Sequence, residues 1–473
     1  MLFPTVEFGL FFVSVLLIAW SLHCFNGPHK LFLLLASYLF YGFWNWSYVP
    51  LLFCISLFSG LIAQRIQASS SQRLRKIWLF AGVVVCLATL GYYKYTSFFF
   101  TISLELWARV ARPPSITIPS PLLPLGVSFF VFHAISLMMD AYRGKLKQAV
   151  RLGDALLYVA FFPQLIAGPI LRASSFIPQL TSPRNPATIR ANRAFLLIVA
   201  GLFKKVVISN LLATRLVEQV FAAPQTFGRG DALLAIYGYA AQIYCDFSGY
   251  TDIAIGCAML LGYRFPRNFN APYSATNPQD FWRRWHISLS SWLRDYLYIP
   301  LGGSRGSAAR TSSNLMITML LGGLWHGAGW TFVIWGALHG FYLIVHRIWN
   351  SIPWQPVVQL RQTVAWRWIA RLLLFHAVCF GWVFFRAPSF DIAFALLHRL
   401  TIPGVFTLAS VPVMLALFIG LAGQYEPLRW RKALECELRY WPTLLRGAAF
   451  AVAIFAIELL GPSGVAPFIY FRF

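Results

Sequence analysis

Apolar stretches of about 20 residues, the length a helix needs to cross a bilayer, follow one another along nearly the whole chain. They run over 6–25, 31–46, 48–64, 77–96, 122–141, 154–171, 194–213, 232–262, 313–348, 368–386, 404–423 and 447–470. The stretches 232–262 and 313–348 are long enough to be broken helices or pairs, so roughly 11 to 13 membrane segments are expected. Composition agrees: 58% of the 473 residues are hydrophobic and 11% charged, where soluble domains carry about a quarter charged. A soluble domain, a disordered chain and a disulfide-stapled module are thereby excluded. The first stretch, Val6 to Phe25, lacks a basic leader region and a small-residue cleavage site, so it reads as a retained helix. The expected fold class is all-α and polytopic, in one membrane domain spanning 1–473. No repeat of 20–50 residues and no pair of related halves is visible.

The chain carries 39 Lys and Arg against 15 Asp and Glu, a net charge of +24. The cations lie between apolar runs, so cytoplasmic loops and anionic headgroups account for them better than nucleic acid does. Arg65, Arg73, Arg75 and Lys76 crowd one connection, Arg143, Lys145, Lys147 and Arg151 another, and Arg429, Arg431, Lys432 and Arg439 a third. All three are expected on the cytoplasmic side. Cys24, Cys54, Cys86, Cys245, Cys257 and Cys379 sit in hydrophobic stretches and only Cys436 in a polar one. No metal-ligating spacing is present.

Residues 264–310 break the pattern, being too polar to span. At about 100° per residue, Trp282, Trp285, Leu289, Trp292 and Tyr296 form one face of a helix over 279–300, with Arg283, His286, Ser290 and Arg294 in a stripe roughly opposite. Asn277-Pro278 and Asp280 mark its entry, and Leu301-Gly302-Gly303 its end. Such a helix should lie at the cytoplasmic interface. Its Arg/His stripe either contacts headgroups or binds an anionic, phosphate-bearing donor.

A second anomaly is His326, the one ionisable residue in MITMLLGGLWHGAGWTFV over 316–333. An intramembrane ionisable residue is a functional candidate by default, and burial favours the neutral imidazole that can take a proton from a hydroxyl. The glycines at 322, 323, 327 and 329 suit either close helix packing or an opening for substrate. His133, His339 and His376 are also in apolar segments, so location alone does not single out His326. A third cluster places Asp246 and Asp252 in an apolar stretch, where they need partners; Arg264, Arg267 or Arg283 could supply them. Structural ion pairing and catalysis are both open for Asp246. Asn268 and Asn270 could form turns or orient a substrate. No nucleophile elbow, phosphate loop, dinucleotide fingerprint or zinc-protease motif occurs.

The run QIYCDFSGYTDIAIG over 242–256, then NFNAPY, FWRRWHISLSSWLRDYLYIPLGG and LLGGLWHGAGWTFVIWGALHG, resembles the membrane-bound O-acyltransferase family. The likeness is strongest to its alginate O-acetylase branch. LLLLASYLFYGFW, LPLGVSFFVFHAISLMMDAYRG, FFPQLIAGPILR and the terminal PFIYFRF are also similar to that branch. The resemblance covers about residue 28 to the end and is densest over 242–340. Cys245 and Arg472 depart from the branch's pattern.

The resemblance implies a helical bundle around a transmembrane tunnel, with interfacial or re-entrant helices and the family histidine at the constriction. That histidine corresponds to His326, and the second family histidine to His286, both expected to be catalytic. Arg283, Arg294, Asp246 and Asn268 are the expected donor- or substrate-binding residues. It also implies an enzyme of the bacterial inner membrane that moves an acetyl group from a cytoplasmic donor, acetyl-CoA or another acyl carrier, for O-acetylation of an exported polysaccharide such as alginate. No tightly bound cofactor and no metal are expected. The implied partners are a periplasmic SGNH-type acetyltransferase, a polysaccharide export complex and membrane lipids. Peptidoglycan and cellulose are alternative acceptors, and a transporter or flippase without acyl transfer is the rival of another class.

Overall fold

The computed structural model describes residues 3–111, 119–425 and 428–462. The terminal PFIYFRF motif with Arg472, most of the Pro/Ser-rich stretch 112–121, and the side chains of Arg429 and Arg431 lie outside the described residues. Helices and turns account for the regular structure, and no strand occurs among the described residues. That is the outcome lipid demands, since a helix satisfies its backbone hydrogen bonds within one segment.

Six helices among the described residues are long and apolar enough to cross a membrane: Trp46–Ala68, Gln72–Ala108, Ala191–Ala222, Trp330–Ser351, Val364–Arg386 and Thr443–Leu460. Shorter apolar helices cover Val6–Ser21, Val127–Tyr142 and Val411–Tyr425. The chain divides into two compact units, Met1–Ala191 with Cys257–Pro266, and Asn192–Gly256 with Arg267–Phe473.

In the first unit, helices Val49–Ala68, Gln72–Leu90 and Val127–Tyr142 pack on one another. Phe8, Phe11, Phe40 and Phe162 fill its interior, with Phe11 edge-on to Phe162 at 5.4 Å between ring centres. The stretch 154–171, expected to be a span, is not one. It holds the end of helix Leu152–Ala160, a break at Phe161, one turn over Phe162–Leu165 and then irregular chain, nearly all of it buried. Pro163 starts the short turn, and Gly168-Pro169 cannot continue it. The residues are apolar because protein, rather than lipid, surrounds them. Asp154 is buried here and pairs with Lys30 at 2.5 Å.

The stretch 232–260 lies in one unbroken helix, Arg229–Leu260, of 32 residues, which belongs to the second unit as far as Gly256. It is not among the helices apolar enough to cross a membrane, and nearly all of it is buried within the protein. The stretch 313–348 is instead a pair, Ala308–His326 and Trp330–Ser351, broken over Gly327–Gly329. The two helices approach so closely that a Cβ on Gly323 would meet the Phe332 carbonyl, and one on Gly336 the Met319 carbonyl. Small residues that let backbones touch are the usual means of helix association in lipid. The basic stretch from Arg429 to Arg439, expected as a loop, forms the helix Leu428–Tyr440.

Because the obstacle at Gly336 is backbone, Gly336→Leu should separate the helix pair and destabilise the protein by about 1–3 kcal/mol or more, as overpacking does. Gly329→Ala, whose new Cβ would meet the Phe332 ring at an ordinary 3.6 Å, should be nearly neutral. Thermal unfolding of the purified proteins in detergent, followed by size-exclusion chromatography, separates the two outcomes.

Candidate active site

All six expected site residues fall in the second unit. His326 is the last residue of helix Ala308–His326 and is 3% exposed. Three aromatic rings meet its imidazole nearly edge-on: Trp325 at 5.0 Å, Trp335 at 5.0 Å and Phe385 at 5.2 Å. Trp335 comes from the paired helix and Phe385 from helix Val364–Arg386, so three elements fix one ring. Trp335 also packs against Trp382 and Phe385. This aromatic shell keeps water away from the imidazole, and without water a proton transfer or a developing charge feels the surrounding groups more strongly.

His286 is fully buried, but not by the helix expected for it. Asn277 caps the first turn by accepting the Asp280 N–H at 2.8 Å, as its position suggests. The helix then stops at Arg284, Trp285 is extended, and His286 takes a left-handed conformation with φ +41° before a second helix, Ile287–Leu293. No proline or glycine marks this break. It is made from a distance: the Asn268 carbonyl accepts the Ile287 N–H at 2.9 Å, and Asn268 Oδ1 accepts the Ser288 N–H at 3.0 Å and its hydroxyl at 2.9 Å.

The expected Arg/His stripe therefore does not exist. The reversal turns His286 inward, where Phe247 stands edge-on at 4.5 Å and Trp325 lies 6.2 Å away. Arg283 and Arg294 stay exposed, Arg294 bonding its neighbour Asp295 at 2.7 Å. Arg284 is tied to Asp280 at 2.9 Å and to the 270–274 turn. Burial pushes the His286 pKa down, to about 3, so the ring is neutral at physiological pH. The structure thus places His326 and His286 beside the same indole, Trp325, with Asn268 hydrogen-bonded to His286, and leaves the two arginines at the surface.

Asp246 and Asp252 find their cations in residues the sequence reading passed over. Lys205 pairs with Asp246 and Lys204 with Asp252, both lysines lying on a stretch of wider π-helical turns, Phe203–Ser209. Ser209 also donates to Asp246 at 3.2 Å, and Lys204 to Ser248 at 3.1 Å. The Lys205–Asp246 pair is almost fully buried, so Asp246 ties helix Arg229–Leu260 to the 203–209 segment and holds its neighbour Phe247 against His286. The rule that singled out His326, an ionisable residue inside an apolar run, points equally to Lys204 and Lys205 in 194–213.

The remaining apolar-segment histidines differ. His133 accepts the Leu171 N–H at 3.2 Å in the first unit. His376 is exposed and bonds Tyr237 at 2.9 Å. His339 is buried beside Trp335 at 4.7 Å and Trp282 at 5.1 Å, on the flank of the same aromatic assembly.

Removing one member of a buried pair leaves the other charge uncompensated, at a cost of about 3–5 kcal/mol, whereas replacing both by apolar residues is far less damaging. Lys205→Met should accordingly destabilise the protein strongly, and Lys205→Met with Asp246→Leu should recover much of the loss. Unfolding midpoints of the single and double variants test this.

Residues 81–385 match the membrane-bound O-acyltransferase family. The chain is 40% identical to the probable alginate O-acetylase of Pseudomonas aeruginosa over 87% of this chain and 77% of that one. It is 38% identical to the peptidoglycan O-acetyltransferase of Helicobacter pylori over 78% of this chain and 73% of the other. With the teichoic acid D-alanyltransferase of Bacillus subtilis it shares 28% identity over 71% of this chain and 83% of the relative. The matched region contains both buried histidines and the helices that hold them, and with its apolar spans the chain is a multi-pass membrane acyltransferase belonging to the membrane-bound O-acyltransferase family.

Proposed function

We propose that this acyltransferase moves an acetyl group from a cytoplasmic donor, acetyl-CoA or another acyl carrier, through the bacterial inner membrane for O-acetylation of an exported polysaccharide, with alginate the leading acceptor. The observation that carries this reading is the placement of His326, a buried imidazole fixed by three aromatic rings at the end of a tightly paired helix. Identity of 40% to a probable alginate O-acetylase supports the choice of acyl group and acceptor. In the reaction, His326 takes the proton of an acceptor hydroxyl as its oxygen bonds to the acetyl carbonyl carbon. The bond from that carbon to the donor breaks, and the leaving group receives the proton. The accepting hydroxyl belongs to the polysaccharide or, in a relay, to a periplasmic SGNH-type acetyltransferase that passes the acetyl group on. The exposed Arg283 and Arg294 are suited to contact an anionic donor.

Peptidoglycan is the second acceptor to consider, because a relative at 38% identity is named for that activity. O-acetyl content of each envelope polysaccharide in a deletion strain decides between them. Unchanged acetylation of all of them, with loss of an intact solute's translocation, would instead point to a transporter.

His326→Ala should abolish acetylation at unchanged protein level, and normal acetylation would remove His326 from the role of base. Arg283→Ala combined with Arg294→Ala should raise the donor concentration needed for half-maximal rate. An unaltered dependence would place donor binding elsewhere.

A further inference from the structure

The hydrogen bonds around His286 specify which of its two nitrogens carries the proton. A backbone N–H can only donate, so the atom of Asn268 that meets the Ser288 N–H at 3.0 Å is its oxygen. That choice also orients the Ser288 hydroxyl. Its 2.9 Å contact with the same oxygen is an ordinary donated bond, whereas its 3.5 Å separation from His286 Nδ1 is at the limit. The hydroxyl proton is thus spent on Asn268, and Ser288 turns lone pairs toward the imidazole. Nδ1 therefore faces acceptors alone, Asn268 Oδ1 at 3.3 Å and Ser288 Oγ at 3.5 Å, and satisfies them only by carrying the ring's proton. Among the described residues, His286 Nε2 is buried without a partner, and so is Asn268 Nδ2.

We propose that Asn268 is a positioning residue: it locks His286 as the Nδ1–H tautomer and thereby presents Nε2, beside Trp325, as a bare acceptor for a hydroxyl of the reacting groups. Asn268 had been expected to bind substrate. Its oxygen is occupied by Ser288 and His286, so its contribution passes through the histidine. A fixed tautomer matters because an imidazole that flips its proton to Nε2 becomes a donor there and repels the hydroxyl it should receive. The φ of +41° at His286 is part of the same device, since it swings the imidazole back onto the Asn268 side chain.

The turnover arm of the test rests on the acyl-transfer reading; the spectroscopic arm does not. In the full chain carrying ring-labelled ¹⁵N-histidine and reconstituted in nanodiscs, the His286 signals are identified by their loss in His286→Gln. The expected spectrum has the proton on Nδ1 and an unprotonated Nε2, and Asn268→Ala should produce the other tautomer or a mixture. A proton on Nε2 in the wild type, or an unchanged spectrum in Asn268→Ala, overturns the proposal.

Should the alanine variant fail to fold, Asn268→Asp keeps the test open. It loses no hydrogen bond, because Nδ2 makes none, and its carboxylate accepts the same donors. It should retain the Nδ1–H tautomer while its charge stabilises the imidazolium. The acid limb of the pH–rate profile should then move upward by about one to two units; an unmoved limb counts against coupling of Asn268 to His286. Asn268→Ala should lower kcat by about tenfold or more, the scale set by partners that orient a functional histidine, with KM for the donor little changed. A loss confined to KM would return Asn268 to substrate binding.

Discussion

Asn268 holds the chain where it leaves the helical path between Pro278–Arg284 and Ile287–Leu293, and the rest of the site is arranged around that break. A non-glycine residue at φ +41° is a strained conformation, of order 1–3 kcal/mol. Three hydrogen bonds that Asn268 accepts from Ile287 and Ser288, each worth about 0.5–1.5 kcal/mol, are enough to offset it. Without them the sequence around His286 would continue as a helix, with the imidazole on an outer face next to Arg283. The strain thus has an identifiable use, which is to carry a polar ring from the surface into the interior.

Once inside, the ring meets a wall built by a different route. Gly323 and Gly336 let two helices come into backbone contact, which places Trp325 and His326 of one helix against Trp335 of the other. Both histidines lie beside one indole, Trp325, at 6.2 and 5.0 Å between ring centres. Neither element could be softened without moving both rings. Groups that must act on a transient geometry gain most from being held there in advance, and here hydrogen bonding fixes one histidine while aromatic packing fixes the other.

The class of fold was legible in the sequence, and so was the position of His326 as the ionisable residue of its apolar run, whereas His286 was placed on a helical stripe that does not form. Apolar runs name the helices, and an imidazole inside such a run stands out. The break at His286 was not legible, because a helical wheel assumes the period continues and no proline or glycine interrupts it. Its cause is Asn268, 18 residues away, and a long-range bond leaves no local mark. The stretch 154–171 misled for another reason: hydrophobicity reports absence of water and does not distinguish lipid from protein. Lys204 and Lys205 carry the same local mark as His326, an ionisable group inside an apolar run.

The charges, finally, act in two ways that the total of +24 conceals. Arg283 and Arg294 remain in solvent, where the Arg294–Asp295 ion pair is worth little. Lys205 and Asp246 are buried against each other and so do not serve as docking charges; desolvated together, they hold two helical segments in register. Asp246 is adjacent to Phe247, and Phe247 is the ring that closes on His286. A charge that the sequence offered as a possible binding group therefore acts on His286 through packing, with Phe247 as the contact, whereas the two arginines stay at the surface.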